Sequence, residues 1–276
     1  MLRPYSIFMN LPTKSERKGL FFRAVLLLFL IVELLISTAP SQVSNEPQPA
    51  VKLPQQQIIE KLESLGGRVF TESGRVVEVN LDRTKIEDAD LSLVGSLTDI
   101  TDLSLEQTQV SDAGIVYLER LDKLEWLNLY GTQVSDTGLK SLQELKRLLR
   151  LPIGRTKVTD AGLIHLENMS QLQYLGLRGN NVTNAGVRHL QKLTNLTGLH
   201  LGETKITDEG LPPLQYLTKL KKLWLNNTAI SDQGIAPVAT LKSLEQLHIY
   251  ETQITEEGFK QLYSALPQCL IIYRVE

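Results

Sequence analysis

Residues that could carry chemistry recur through this chain at a fixed spacing of 24. A hydroxyl beside a carboxylate can act as an activated nucleophile, and a row of carboxylates can bind metal ions. The hydroxyl column, in which asparagine replaces threonine once, is Thr84, Thr108, Thr132, Thr156, Asn180, Thr204, Thr228 and Thr252. The acid column, four residues later, is Asp88, Asp112, Asp136, Asp160, Asn184, Asp208, Asp232 and Glu256. Six residues after the hydroxyl come Gly114, Gly138, Gly162, Gly186, Gly210, Gly234 and Gly258, with Asp90 as the exception.

The repetition itself argues against catalysis, because eight equivalent positions cannot all be one nucleophile. We expect the threonine hydroxyls to bond to backbone groups in turns. Ser111-Asp112 is typical of a helix start, so we expect the aspartates to cap short helices rather than to hold metal. The sequence has no Ser/His/Asp set, metal motif or phosphate loop. It therefore predicts no enzyme activity, no cofactor and no metal.

A fixed period of this length predicts a solenoid of stacked repeats. In one unit, Leu103 and Leu105 alternate as in a short strand with one buried face. Ile115, Leu118 and Leu121 follow at three-residue spacing, which indicates the inner stripe of a short helix. The strands should form a parallel sheet, with the helices on the opposite side.

The repeats are expected over residues 81–276, as about eight units with a closing strand at Ile271/Tyr273. Residues 58–80 resemble an N-terminal cap, made of an amphipathic helix and a hairpin around Glu72-Ser73-Gly74. Pro212-Pro213 and Pro237 predict short or 3₁₀-like segments opposite the sheet. Pro152 lies in a strand without an N–H to donate, so the ladder should weaken there.

The N-terminal residues 1–39 read as a signal peptide or a membrane anchor. Arg17, Lys18 and Arg23 precede the apolar run 24–36, and Ala39 resembles a cleavage site that is disfavoured by Pro40. If uncut, residues 20–39 are long enough to span a bilayer, with the repeats outside. Residues 40–57 look like a flexible linker. Both alternatives place the repeats in an extracytoplasmic location.

Composition narrows the class of partner. The chain is 42% apolar and 22% charged, which allows an ordered core. Residues 1–54 carry six basic and three acidic residues, so the rest has 23 basic and 28 acidic, a net charge of −5. A mildly acidic body argues against nucleic acid as the partner. Cys269 is alone, so no intrachain disulfide can form, and its apolar neighbours predict a buried, inert thiol.

The columns L-x-x-L-x-L-x-x-T-x-[IV]-[ST]-D-x-G-[LI] resemble those of leucine-rich repeat proteins. They look like the 24-residue, threonine-bearing bacterial type, and are similar to the repeats of F-box leucine-rich proteins. The resemblance covers about residues 67–276. It implies an α/β solenoid, a leucine-rich repeat horseshoe with its parallel sheet on the concave face and short helices on the convex face. For function it implies binding of a protein or another ligand through the sheet.

Alternation along each strand predicts which side chains face the solvent on the concave side. The three outward columns are the positions equivalent to Asp102, Ser104 and Glu106 in each repeat. They contain both tryptophans of the chain, and large aromatic residues on a solvated sheet are typical of interfaces. Gly176, Gly198 and Gly202 predict a shallow gap between two clusters. The candidate binding residues are a central aromatic and basic cluster, Trp126, Tyr130, Arg150, Tyr174 and Arg178, and a C-terminal cluster, His200, Trp224, His248 and Tyr250.

These features favour an exported or anchored protein that binds a protein, or a cell-surface polymer, on its concave sheet. The alternative is a structural envelope scaffold without a specific ligand. Acidic residues at the first strands, among them Glu78 and Asp102, lie at the end of the face opposite the two clusters, so the charge of the face is polarised and could orient a partner. His200 and His248 are two repeats apart, about 10 Å at the spacing of strands, which is too far for a shared metal ion.

Overall fold

A computed structural model describes residues 53–274, which build one sheet of ten strands in chain order. β1 and β2 are antiparallel, and every later pair of neighbours is parallel. The strands are β1 (Arg68–Glu72), β2 (Arg75–Asn80), β3 (Asp102–Ser104), β4 (Trp126–Asn128), β5 (Arg150–Pro152), β6 (Tyr174–Gly176), β7 (Gly198–His200), β8 (Lys222–Trp224), β9 (Gln246–His248) and β10 (Leu270–Ile272). The last strand, β10, pairs with β9; it includes Ile271 of the predicted closing strand but ends before Tyr273.

Short helices connect the strands. They are α1 (Gln55–Ser64), α2 (Leu91–Val94), α3 (Asp112–Ile115), α4 (Asp136–Leu142), α5 (Asp160–Leu163), α6 (Asn184–Val187), α7 (Ile235–Ala239) and α8 (Glu256–Ala265). The connection through Asp208–Gly210 and Pro212–Tyr216 is entirely 3₁₀, and Asp232–Gly234 is 3₁₀ before α7, as the prolines predict. In the described part of the chain, none of the helices has the length and apolar character needed to cross a membrane.

The N-terminal expectations lie mostly outside the described residues. This applies to the signal or anchor in residues 1–39 and to the linker as far as residue 52. α1 begins at Gln55, so the predicted linker end at residue 57 is wrong by three residues. Pro54 at the N-cap has a φ of −54°, which suits a helix start, and the buried Ile58 and Leu62 fasten the helix to the core. β1 and β2 form the predicted hairpin.

Each repeat contributes the same apolar positions to one continuous core. Leu103, Leu105, Ile115, Leu118 and Leu121 are all fully buried, and the equivalent residues of the later repeats join them. Burial of one leucine side chain contributes about 1.5–3 kcal/mol, but only against a neighbouring repeat that covers it. Stacking therefore follows directly from the 24-residue period.

The threonine column has the expected structural role. Thr108 Oγ1 donates to the Leu105 carbonyl at 2.8 Å, and Thr132 Oγ1 donates to the Leu129 carbonyl at 2.8 Å. Where asparagine replaces threonine, Asn180 Nδ2 donates to the Ile153 carbonyl of the preceding repeat at 2.8 Å. The same carbonyls also accept from the backbone, as where the Thr108 N–H donates to the Leu105 carbonyl at 3.3 Å, so the hydroxyls reinforce turns that backbone bonds already close.

The aspartate column does not cap its own helices, so that expectation is wrong. The caps are serine or threonine, as where Ser135 Oγ accepts from the Thr137 N–H. Each aspartate instead accepts from the cap residue of the next repeat. The Asp160 carboxylate, for example, receives the Thr183 N–H at 2.7 Å and the Thr183 hydroxyl at 2.6 Å. A carboxylate suits this position because it only accepts, and both of its partners donate.

The same contact explains the glycine column. A Cβ at Gly114 would lie 2.6 Å from Asp88 Oδ1, and one at Gly138 would lie 2.6 Å from Asp112 Oδ1. Any side chain at these positions would push the aspartate away from its partners. Asp90 replaces glycine only in the first repeat, which no aspartate of an earlier repeat precedes, and its carboxylate accepts from the Glu87 N–H at 3.0 Å.

Pro152 weakens the ladder as predicted. β4 and β5 are paired only at Trp126 and Arg150, whereas the neighbouring β5 and β6 pair at three positions. The missing N–H of proline accounts for the difference.

Candidate binding surface on the sheet

The strand register brings the predicted outward columns together. Trp126 pairs with Arg150, and Arg150 pairs with Tyr174, so these side chains project side by side. His200, Trp224 and His248 form a second row in the same way. Arg150 is exposed and the other eight candidate residues are half-buried, so none of the nine belongs to the core of the solenoid.

The aromatic side chains are grouped differently from the prediction. The His200 ring stacks on Trp224 with 5.2 Å between centroids and 7° between planes, and His248 stacks on the other side at 5.4 Å and 26°. Tyr174 meets Trp224 edge-on at 6.4 Å, and Tyr250 meets His248 at 6.3 Å. Tyr174 therefore belongs to the C-terminal group, and we call Tyr174, His200, Trp224, His248 and Tyr250 the ring stack.

The ring stack follows from the spacing of the strands. Strands lie about 4.8 Å apart, close to the separation of stacked rings, so flat side chains at one column position must pack on each other. Because imidazoles cover both faces of the Trp224 indole, the ring presents its edge outward.

Of the predicted gap at Gly176, Gly198 and Gly202, only the part at Gly176 is open. The Tyr174 ring lies over Gly198, where a Cβ would be 2.8 Å from its Cδ2 atom, and His200 lies over Gly202. A depression extends from Gly176 towards the preceding repeats. Its lining includes Pro152 and Gly154, and Tyr130 and Tyr174 stand at its sides. We call this depression the tyrosine hollow.

The central cluster is less basic than the sequence suggests, because Glu203 neutralises part of it. Glu203 accepts from Arg178 Nε at 2.8 Å and from Arg155 Nη2 at 3.1 Å. The hydrogen bond from Arg178 lowers the pKa of the Glu203 carboxyl and raises that of the Arg178 guanidinium. Arg150 and Lys222 stay exposed, and neither forms a salt bridge with any of residues 53–274.

The two imidazoles of the ring stack favour their neutral form. Burial, helped by the charge of Arg178, lowers the pKa of His200 to about 4, and burial also lowers the pKa of His248. His200 Nδ1 accepts from the Gly202 N–H at 3.2 Å, which protonation of that nitrogen would break. Trp224 lies between the two histidines, so they cannot share a metal ion. Among the described residues, no three His, Cys, Asp or Glu side chains come close enough to hold one.

At the other end of the sheet, acidic residues are engaged with neighbours. Asp82 accepts from the Ser104 hydroxyl and from the Glu106 N–H at 2.9 Å, and Glu106 accepts from Asn128 Nδ2 at 3.2 Å. Asp102 accepts from the Thr101 hydroxyl at 2.7 Å. These acidic side chains make the solvent face of the sheet acidic near β2 and β3.

One residue of the surface, Glu203, was missed by reasoning from the strands, and Asn226, which strand alternation places on the surface, is not exposed there. Glu203 lies one residue beyond the outward columns, in a turn where its φ is +58°. The equivalent positions Arg83, Gln107, Arg155, Asn227 and Glu251 are also left-handed, so the period could have revealed this row. Asn226 is buried, and its Oδ1 has no hydrogen-bond partner among residues 53–274.

Comparisons with known proteins agree with the architecture. A family model described as "Leucine Rich repeat" matches residues 192–214. No curated protein matches the chain. Among solved structures, an internalin (inlF) from Listeria monocytogenes is 28% identical, with a TM-score of 0.60 over 71% of this chain and 54% of its own. The chain thus spans about half of that protein.

A second internalin, C2 from Listeria monocytogenes, is 24% identical with a TM-score of 0.63. The match covers 81% of this chain and 84% of that one. At this identity the likeness concerns the fold.

Proposed function

We propose that this chain, which is a leucine-rich repeat protein, binds another protein on the solvent face of its sheet, outside the cytoplasm. The leucine-rich repeat fold supports protein binding in general. The finer proposal assigns the contact to Trp126, Tyr130, Arg150, Tyr174, Arg178, His200, Trp224, His248 and Tyr250. The observation that carries it is the ring stack, because large aromatic side chains held at a surface are the residues that most often dominate binding energy.

The remaining polar residues support binding rather than catalysis. The threonine hydroxyls hold turn carbonyls, and the aspartates hold the cap residues of the next repeat, so the repeated polar side chains already have structural partners. The solvent face of the sheet has no single dominant charge, which argues against nucleic acid. The proposal includes no cofactor and no metal.

Capture of a partner from intact cells tests the contact surface. We would cross-link the full chain on cells, identify the attached protein, and compare Trp126→Ala and Trp224→Ala with the wild type. Removal of an aromatic residue at the centre of an interface typically costs about 2 kcal/mol, or roughly 30-fold in affinity, so capture should be lost.

Convex-side variants provide the matched control. Tyr117 and Tyr216 are aromatic and 43% and 54% exposed, on the side opposite the sheet. Tyr117→Ala and Tyr216→Ala should capture the partner as the wild type does, and circular dichroism should show that all four variants fold. If capture is equal in all of them, the chain is a scaffold that does not use this face.

The proposal that the chain is exported is based on its N-terminal sequence. The apolar run 24–36 follows three basic residues, and this order predicts that the repeats lie outside the cytoplasm. Residues 20–39 would anchor the chain in the membrane if they stay uncut.

A reporter fusion tests export. Alkaline phosphatase needs disulfides that form outside the cytoplasm, so the full chain fused to it should be active, and Leu27→Arg with Leu28→Arg should abolish the activity. Activity that survives both substitutions would contradict export through this segment. The mass of the purified protein distinguishes a cut chain from an anchored one.

A further inference from the structure

We infer that the partner presents an acidic segment to the C-terminal half of the sheet, and that one apolar side chain of this segment enters the tyrosine hollow. This inference rests on the proposed function and gives the chemistry of the partner.

The shape of the hollow favours a single side chain. Pro152 lies at its base, and Gly154 and Gly176 leave room for the Tyr130 and Tyr174 side chains that form its walls. Tyr130 and Tyr174 bound it from strands two repeats apart, about 10 Å at the spacing of the strands. After the tyrosine rings take their own thickness, the remaining width suits one aliphatic or aromatic group.

The tyrosines are held in place from below. A Cβ at Gly154 would lie 3.0 Å from Tyr130 Cδ2, and one at Gly176 would lie 3.1 Å from the Tyr174 hydroxyl. The rings therefore rest directly on the glycine backbone. Side chains positioned in this way lose little conformational freedom when a ligand arrives, which favours binding.

Charge around the hollow selects an acidic segment. Arg150 and Lys222 lie in one outward column on either side of Tyr174, because Arg150 pairs with Tyr174 and Lys222 is two strands further on. Arg155 and Arg178 share only Glu203, which leaves one further positive charge. Near β2 and β3 the face is acidic, so an acidic segment would be repelled there and guided towards the hollow.

The ring stack favours a protein over a polysaccharide. A sugar ring binds by lying flat on an open aromatic face, but His200 and His248 cover both faces of Trp224. What remains exposed is a row of ring edges, which suits side chains and backbone groups of a polypeptide.

The test is a selection from a displayed library of random peptides of about 12 residues, which span about 40 Å when extended and so reach across most of the sheet. Selected peptides should carry an apolar residue flanked by aspartate or glutamate. Their affinity is then measured by fluorescence anisotropy against the full chain and its variants. Enrichment of basic peptides, or a library without binders, would overturn the inference.

Substitutions at Pro152 test the hollow itself. Pro152→Phe fills the hollow and should weaken binding about tenfold or more, as is usual when an anchor side chain is excluded. Pro152→Ser also removes the proline but leaves the hollow open, so it should weaken binding clearly less than Pro152→Phe does. Equal affinity for both variants would show that nothing enters the hollow.

Charge reversals test the acidic partner. Arg150→Glu combined with Lys222→Glu should weaken binding about tenfold and reduce its dependence on salt. Lys205→Glu, an exposed charge outside the outward columns, should change nothing. Binding of polyglucuronate in competition with the peptides would point to a surface polymer instead. If cross-linked capture depends on Trp126 and Trp224 while no acidic peptide binds, the proposed function stands and this inference fails.

Discussion

The contact between each aspartate and the glycine of the next repeat makes a prediction that can be measured as a coupling energy. In the wild type, the Asp160 carboxylate accepts two hydrogen bonds from Thr183 and lies where a Cβ of Gly186 would have to be. Gly186 is in α6, where alanine would otherwise be favoured over glycine by about 0.5–1 kcal/mol. The effect of Gly186→Ala should therefore change sign when Asp160 is removed.

The magnitudes follow from the contacts. Asp160→Ala removes two bonds to a charged acceptor that is partly open to solvent, so we expect a loss of about 2–3 kcal/mol in the free energy of unfolding. Gly186→Ala in the wild type should cost about 1–2 kcal/mol, as overpacking outweighs helix propensity. In the Asp160→Ala background the same change should be neutral or stabilising by about 0.5 kcal/mol, a coupling of about 2 kcal/mol.

Urea unfolding of the four proteins of this cycle measures the coupling. Ala185→Gly, at the exposed neighbouring position, measures helix propensity alone. Additive effects of the two substitutions would refute the steric explanation of the glycine column, because the carboxylate would then not be the group that excludes a side chain.

Three further outcomes follow from other contacts. Asn184 donates to the Thr207 hydroxyl at 2.8 Å, and that threonine makes no cap bond, so Asn184→Asp should free the hydroxyl to cap and raise the free energy of unfolding in urea by about 1 kcal/mol. Burial raises the pKa of the Cys269 thiol to about 11, so a thiol-reactive dye should label the chain only after guanidinium is added. The pKa of His200 in the folded state, about 4, lies below its unfolded value of about 6.5. Its contribution to stability is therefore present above pH 6.5 and is lost as pH falls towards 4. An NMR titration of its ring with a midpoint near 6.5 would contradict this.

The sequence predicted the architecture well, because a period without insertions specifies the register of every strand at once. Once Leu103 and Leu127 are equivalent, Asp102 and Trp126 must be neighbours, and the observed pairing confirms it. The outward columns follow from the same alternation.

What the period does not specify is the reach of individual side chains. Tyr174 was assigned to the central cluster by its strand, yet its ring extends over Gly198 to Trp224. Strand alternation does not predict that Glu203 lies on the surface, because its outward position depends on a left-handed turn after the strand. From the sequence, each aspartate is expected to cap the helix that it begins, because a sequence shows which residues are close along the chain. It does not show that the carboxylate accepts hydrogen bonds from the next repeat.

The residues that differ from their equivalents in other repeats are the ones that indicate where a partner binds. Residues that are the same in every repeat stabilise the solenoid. A residue that differs from its equivalents in other repeats therefore does not contribute in the same way to stacking, or it changes the surface. Gly154 and Gly176 replace larger polar residues of other repeats, such as Glu106 and Asn128, and Pro152 replaces a polar residue with an apolar ring, so the tyrosine hollow forms at these positions. Pro152 also weakens the ladder between β4 and β5. Because these changes lie close together in space and reduce strand pairing where Tyr130 and Tyr174 lie over glycine, we expect the partner to contact this part of the sheet.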